Sequence, residues 1–410
     1  MMKKIFTLIA VFFLLVNCTP KNKQSAFAVS KGSTVMTIFD WEPVFFNPDI
    51  VPNGCYEKDS LIKLGNGRII LKKINVPEYE RNVSVTLTIK LKSAGDPWDK
   101  SGSCFIIPKD SLINFLTIAK EQHSFPEIDS EKYENFVGIV PGKDYLPVVE
   151  AMRFMTPFGV GFFSNDTTNK PVYVDSWEEQ VEWSEDITQL YSLLKGETYI
   201  GIWVDTWTKE GYKVSADINI TESTAAGDTI RNEKVLPLMN TVYYLGQKIP
   251  DIFCRKTVSV PFTIPRGAKN VRLHYITTGH GGHSGGDEFV KRENSISIDE
   301  KEVHRFTPWK NYCAAYRRFN PSSGVWMQKR TAKVFSESGQ RIEKEIEEPL
   351  ASSDLSRSNW CPGSDVPPVI IPLNIDSGQH KLSVSIPGAQ PLYEDKYNHW
   401  LVSAYLVYEY

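Results

Sequence analysis

The sequence predicts an all-β protein made of two β-sandwiches, on three observations. Short runs rich in β-branched and aromatic residues alternate with polar ones between Gly, Pro, Asn and Asp, which is the pattern of half-buried strands. Helical periodicity is scarce, and many strands with few crossovers favour antiparallel sandwiches over a parallel sheet. At 410 residues the chain can hold two cores. One linker-like stretch, "TESTAAGDTIRNEK" at residues 221–234, divides it into halves of similar size.

The first eighteen residues, "MMKKIFTLIAVFFLLVNC", combine a basic start with an apolar run too short to span a bilayer, so they read as an export signal. The "LVNC" end resembles a bacterial lipoprotein signal, in which Cys18 carries the lipid; an ordinary cleaved signal is the alternative. Residues 19–33 are polar and low in hydrophobics, as in a flexible tether. Strands are expected in "RNVSVTLTIKLK", "YIGIWVDTW" and "KVSADINI" before the linker. After it they are expected in "TVSVPFTIP", "NVRLHYITT", "NSISID", "PVIIPLNI", "KLSVSIP" and "WLVSAYLVYEY". Two helices are expected, in "DSLINFLTIAKEQ" and in "DITQLYSLLKG" with Asp186 as its cap. The expected domains are residues 34–223 and 224–410, with no short-period repeat.

A net charge of −3 supplies no basic field, which excludes nucleic acid as a partner. Aromatic residues make up 12% of the chain, mostly as core, with a share free to line a groove for sugars. Beyond Cys18 there are Cys55, Cys104, Cys254, Cys313 and Cys361. Export favours disulfides, five is odd, and the absence of any CxxC argues against thiol-ligated zinc and redox chemistry.

The stretch richest in chemistry is "GHGGHSGGDEF", residues 279–289. His280 and His283 are three apart on a glycine-rich loop, not four apart on a helix with an intervening Glu as in the strong zinc signature. A phosphate cradle lacks its Lys-Ser/Thr and its helix. The residues leave open a metal site completed by Asp287 or Glu288, and a tightly folded loop that presents Glu288 to a cleft with the histidines as polar lining.

"GDPWDKSGSCFII" from Gly95, "DITQLYSLLKGETYIGIWVDTW" from Asp186 and "RSNWCPGSDVPP" from Arg357 flank that loop in order, together with "RFMTPFGVG" from Arg153. With these blocks the chain, from about Val35 to its C-terminus, resembles the peptide:N-glycosidase F family. The resemblance implies two jelly-roll sandwiches side by side with the active site between them. It also implies a bacterial amidase that hydrolyses the bond between an asparagine side chain and the first N-acetylglucosamine, releasing the whole N-glycan. The family's essential aspartate falls on Asp99 and its second-domain glutamate on Glu288. Its third acid falls on Asp205, where better-known members carry Glu. Cys313 and Cys361 match a family disulfide, whereas cysteine pairs found in some members around the aspartate and the glutamate are absent. Trp98, Trp207, Arg357, Trp360, Asp96, Arg153, His280 and His283 are the expected substrate contacts, and Trp98 and Trp207 beside the acids are expected to raise their pKa values by desolvation. A stretch around residues 120–145 looks inserted.

The resemblance implies N-glycosylated peptides and glycoproteins as partners, no cofactor or metal, and a monomer. Membrane contact is expected only through a lipid anchor, on the outer membrane or cell surface of a bacterium, with a periplasmic or secreted protein as the alternative. Two other functions remain open from the residues: a non-catalytic glycan-binding lipoprotein, and a metalloenzyme using His280 and His283.

Overall fold

A computed structural model describes residues 32–52, 55–126, 138–166, 170–225, 227–245 and 248–410. The signal, Cys18 and nearly all of the tether lie outside the described residues. Alternation does what it predicts. In Val83–Ser93, Val85, Leu87, Ile89 and Leu91 are buried while Thr86, Thr88 and Lys90 face outward. Each such buried aliphatic side chain stabilises the fold by roughly 1.5–3 kcal/mol. That strand lies in a four-stranded sheet ordered Ser33–Val44, Tyr212–Glu222, Val83–Ser93, Val181–Asp186. A seven-stranded sheet covers its apolar face, and the two enclose one core that includes Ile70, Ile202 and Val204.

The second sandwich pairs two four-stranded sheets. One is ordered Glu233–Asn240, His399–Glu409, Lys269–His280, Val369–Pro372, and the other Val258–Ile264, Gly378–Ser385, Asn294–Ile298, Lys301–Phe306. All strand pairings in both sandwiches are antiparallel among the described residues. The expected strands are present. The helices are shorter than expected: Phe115–Ala119, with a capping box from Asn114, and a 3-10 turn Thr188–Leu190 running into Tyr191–Leu194. Asp186 accepts the Thr188 amide at 2.9 Å, so it does brace the start of the second.

Two features join the sandwiches. The short strand Asp365–Val366, late in the chain, adds to the first sandwich's seven-stranded sheet beside Val149–Met155, next to Ser101–Ile106. The second is a buried ion pair. Arg153 donates to both carboxylate oxygens of Glu150, at 2.9 and 2.6 Å, and to Thr278 and the Leu401 carbonyl across the seam. Arg153 is 1% exposed. It therefore cannot contact substrate as expected from its place in "RFMTPFGVG"; it seals the junction. In the inserted region, part of which lies outside the described residues, Ile139 and Val140 pack into the second core. A further element was not expected at all: a two-stranded hairpin, Val325–Phe335 with Arg341–Ala351.

Candidate active site

Asp99 sits in the turn between Val83–Ser93 and Ser101–Ile106, and that turn is held from within. Asp96 accepts the Trp98 amide at 3.0 Å and the Thr206 hydroxyl at 2.7 Å, while its own carbonyl accepts Ser93 Oγ at 2.6 Å. Gly95 has φ +138°, and a Cβ there would lie 2.7 Å from the Glu210 side chain, so only glycine lets the chain turn so close. Tyr212 donates to the Trp98 carbonyl at 2.6 Å. Asp96 is fully buried. It is the brace of the turn, not a substrate contact as expected.

Asp205 follows the strand Gly196–Val204, and its amide donates to the Ser101 carbonyl at 2.9 Å. Because that strand pairs with Ser101–Ile106, Asp205 and Asp99 emerge at one end of the same sheet. Two donors and a cation surround the Asp205 carboxylate: Tyr243 OH donates at 2.7 Å and Trp207 Nε1 at 3.1 Å, and Arg68 Nη1 forms an ion pair at 3.6 Å. Burial raises its pKa, and the Tyr243 bond and the Lys100, Arg68 and Trp207 contacts oppose that rise. The Trp207 N–H favours the ionised form, an effect smaller than the rise from burial.

Glu288 and Arg357 come from the second sandwich. The glycine loop after Lys269–His280 is drawn in at Gly281, whose φ is +141° and where a Cβ would lie 2.4 Å from Asn398 Oδ1. Where some relatives were expected to use cysteines, Asp287 clamps the loop. Its carboxylate accepts Arg292 Nε at 3.0 Å, the Gln390 amide at 2.8 Å and Trp400 Nε1 at 3.1 Å. Ser358 ties the loop to the Arg357 segment, its amide donating to the Glu288 carbonyl and its hydroxyl to that of Asp287. That segment runs on to Asp365–Val366, the strand stitched onto the first sandwich. This connection carries Arg357 to Asp99.

Arg357 Nε donates to Glu288 Oε1 at 2.9 Å, and Nη2 lies 3.5 Å from Asp99 Oδ2. One guanidinium, 2% exposed, thus bridges the two acids, whose side chains are 17% exposed for Asp99 and 10% for Glu288. Burial raises the Asp99 pKa, with Arg357 and then Lys100 opposing. Burial pushes Glu288 up to about 7, against the Arg357 charge and with the Asp99 charge adding to the rise. Arg357 also donates Nη1 to the Leu355 carbonyl at 2.9 Å. Its face rests on Phe289 and Trp360.

Trp98 and Trp207, 58% and 53% exposed, flank the acids, with the Arg68 guanidinium over the Trp207 ring at 4.3 Å. Trp360 does not: it is buried beneath Arg357 and donates Nε1 to the Gly279 carbonyl at 2.9 Å. His280 is also buried, hydrogen-bonded through Nε2 to the Thr278 hydroxyl at 2.8 Å. His283 Nε2 faces Asn398 at 3.2 Å and Nδ1 faces the Ser284 carbonyl at 3.1 Å. The two loop histidines therefore address different partners. No group of three or more His, Cys, Asp or Glu side chains placed to hold one metal ion occurs among the described residues.

Sequence reasoning missed the run of ring contacts, edge-on at Tyr243–His399 and stacked thereafter, that joins the two halves of the site. Tyr243, His399, His280 and Trp360 follow one another with centroids 5.7, 4.9 and 5.6 Å apart, running from Asp205 to Arg357 across the seam. Burial depresses both histidine pKa values, that of His399 to about 4, so the stack is uncharged at neutral pH. Tyr243 and Arg68 lie outside the motif blocks and meet Asp205 only through tertiary packing.

The disulfide Cys313–Cys361 closes a 48-residue span directly after Trp360. Replacing both cysteines by serine is expected to cost ~2–5 kcal/mol of stability and to loosen Arg357. Thermal melts of the variant beside the native chain, with and without reductant, check this. Only the native melt should respond to reductant. Cys55, Cys104 and Cys254 are free thiols.

Residues 35–220 match the family model described as peptide-N-glycosidase F, N terminal, and residues 248–407 the model described as its C terminal. The chain is 23% identical over 360 residues to peptide-N(4)-(N-acetyl-beta-D-glucosaminyl)asparagine amidase F of Elizabethkingia miricola, covering 84% of this chain and 86% of that one. A solved structure of PNGF-II superposes with a TM-score of 0.78 at 35% identity over 92% of this chain, which spans 64% of that longer chain. PNGase F, described as a glycosylasparaginase from Flavobacterium meningosepticum, shares the fold, with a TM-score of 0.56 at 15% identity over 92% of this chain and 96% of that one. The matched regions are the two sandwiches whose junction holds Asp99, Asp205, Glu288 and Arg357, and the chain belongs to the peptide-N-glycosidase F family.

Proposed function

We propose that the protein hydrolyses the amide between an asparagine side chain and the first N-acetylglucosamine of an N-glycan. The observation that carries this reading is the Asp99–Arg357–Glu288 bridge at the seam, with the exposed Trp98 and Trp207 beside it. Amide hydrolysis requires a base for water and a proton for the departing nitrogen. The Asp99 carboxylate, its pKa raised by burial, takes a proton from water as the water oxygen bonds to the amide carbon. It returns that proton to nitrogen as the carbon–nitrogen bond breaks. Glu288 and Asp205 orient substrate and water. Arg357 is too enclosed by its own bonds to reach the sugar; it sets the spacing and charge of the two acids. Trp98 and Trp207 offer faces for the apolar sides of pyranose rings.

Turnover of an N-glycosylated peptide in the presence of EDTA tests the reading. Release of the whole glycan supports it. Binding without release supports the lectin-like alternative, and release only without EDTA the metalloenzyme. Within the amidase reading, Tyr243→Phe removes one donor to the buried Asp205 carboxylate. Because bonds to charged groups contribute ~1.5–3 kcal/mol, kcat/KM is expected to fall about tenfold or more.

The disulfide and the export signal support a site of action outside the cytoplasm. Attachment through a lipid on Cys18 belongs to the same proposal. No helix among the described residues is long and apolar enough to cross a membrane.

A further inference from the structure

Between Arg357 and the strand Asp365–Val366, the second sandwich meets charged side chains that the proposed reaction does not use. Trp183 and Glu185 stand on one face of the first sandwich's strand Val181–Asp186. Trp183 Nε1 donates to the Gly363 carbonyl at 2.9 Å, and the Glu185 carboxyl is hydrogen-bonded to that of Asp365. Lys310 meets the same stretch. It is 8% exposed, and its Nζ donates to the Asp365 carbonyl at 2.7 Å and to Ser364 Oγ at 3.4 Å.

A buried ammonium is costly unless it is paired. Burial lowers the Lys310 pKa, and the Asp365 and Glu185 charges oppose that fall. Two carboxyl groups share a hydrogen bond only when one of them carries a proton. Burial, then the bond to Asp365 and the Asp365 charge, push Glu185 up to about 7; the Lys310 charge opposes the rise and Asp186 adds to it. Below that value Glu185 holds the proton, the pair keeps one negative charge, and the ammonium balances it.

The backbone of the same lysine touches the site. Its amide donates to the Arg357 carbonyl at 2.9 Å, and its carbonyl accepts the Arg357 amide at 3.0 Å, the two-way exchange of an antiparallel bridge. Just beyond, the Cys313–Cys361 disulfide joins the same two segments. Lys310 is thus tied by its side chain to the strand docked on the first sandwich, and by its backbone to the residue whose guanidinium spans Asp99 and Glu288. Arg357 Nη2 already stands 3.5 Å from Asp99 Oδ2, so a small backbone shift at Arg357 is enough to lose that contact.

We propose that Lys310 and Glu185 are positioning residues for the Asp99–Arg357–Glu288 bridge: joined through Asp365, they fix the Arg357 backbone against the sandwich that carries Asp99. The inference rests on the amidase reading, because turnover is what it changes.

A double-mutant cycle on glycopeptide turnover tests it, with Lys310→Met and Arg357→Gln assayed below the melting temperature of every chain. Methionine keeps an unbranched side chain and gives up the charge and the donors. If Lys310 acts through Arg357, Lys310→Met lowers kcat by about ten- to a hundredfold in the native background and changes it little once residue 357 is glutamine. An equal fold-loss in both backgrounds, or an unchanged kcat in the native one, overturns the assignment and leaves the amidase reading intact. Glu185→Gln answers the question where a member of the cycle fails to fold. Glu185 is half-buried, and glutamine keeps a donor toward Asp365 but cannot ionise. Native kcat/KM should fall as pH rises above about 7, where ionised Glu185 repels Asp365. The Glu185→Gln profile should lack that fall and keep the acid limb set by Glu288. Profiles that coincide on the alkaline side overturn the assignment. A native chain that turns over no glycopeptide removes the amidase reading and this assignment together.

Discussion

Asparagine in place of Asp99 is expected to lower kcat by about 10²–10⁴, the range associated with loss of a positioned acid–base group, while glycopeptide affinity changes little. The substitution keeps the side chain's shape and leaves the turn's braces at Asp96, Thr206 and Tyr212 intact. What it removes is the capacity to take and return a proton. Because burial raises the Asp99 pKa, the native group is a better proton acceptor than an exposed aspartate, and the amide cannot stand in for it. Steady-state kinetics with calorimetric binding separates the two effects. Loss of affinity with kcat retained would make Asp99 a binding residue.

Arg357→Gln is expected to have the largest effect on stability. The guanidinium bridges two buried acids and is itself enclosed between Phe289 and Trp360. Removing one partner of a buried pair leaves uncompensated charge and typically costs about 3–5 kcal/mol. The pH dependence follows from Glu288, whose pKa is raised to about 7 from 4.5. The folded state therefore holds a proton that the unfolded state has released between those values. This term favours folding below pH 4.5 and is lost as pH rises through about 7. Function runs the other way, since ionised Glu288 is the form that accepts Arg357 Nε. In the native protein kcat/KM should fall as pH drops through about 7. In Arg357→Gln the acids lose their compensating cation, so that limb should move to higher pH. A limb that stays in place would mean that Arg357 does not set the charge of the acids.

The strands were legible because alternation has one meaning: in "VSVTLTIKL", odd and even positions must face opposite sides of a sheet. The hairpin was not, because its Lys, Arg and Glu residues break the apolar half of that alternation, and a ribbon wet on both faces has no core to impose it. The motif blocks around Asp99, Asp205, Glu288 and Arg357 mark segments that the fold brings to one seam. Position within a block could not distinguish a side chain that faces the cleft from one that holds its neighbour in place. Asp96, Arg153, Trp360 and His280 all lie in or beside such blocks, yet each is buried and bonded within the protein. Tyr243 and Arg68 show the complementary gap. Each sits far from Asp205 in sequence, and only the packing of the two sandwiches and the sheet order put a phenol and a guanidinium beside that carboxylate.

The most direct test of the central claim is the fate of water oxygen. An N-glycosylated peptide is incubated with the protein in heavy-oxygen water, and the peptide product is analysed by mass spectrometry. Amide hydrolysis at the Asp99–Arg357–Glu288 site predicts release of the whole glycan and an aspartate with one heavy oxygen in its new carboxyl group. The same reaction should be absent with Asp99→Asn. A peptide that keeps N-acetylglucosamine on its asparagine, or that carries no label while the sugar does, would contradict the claim.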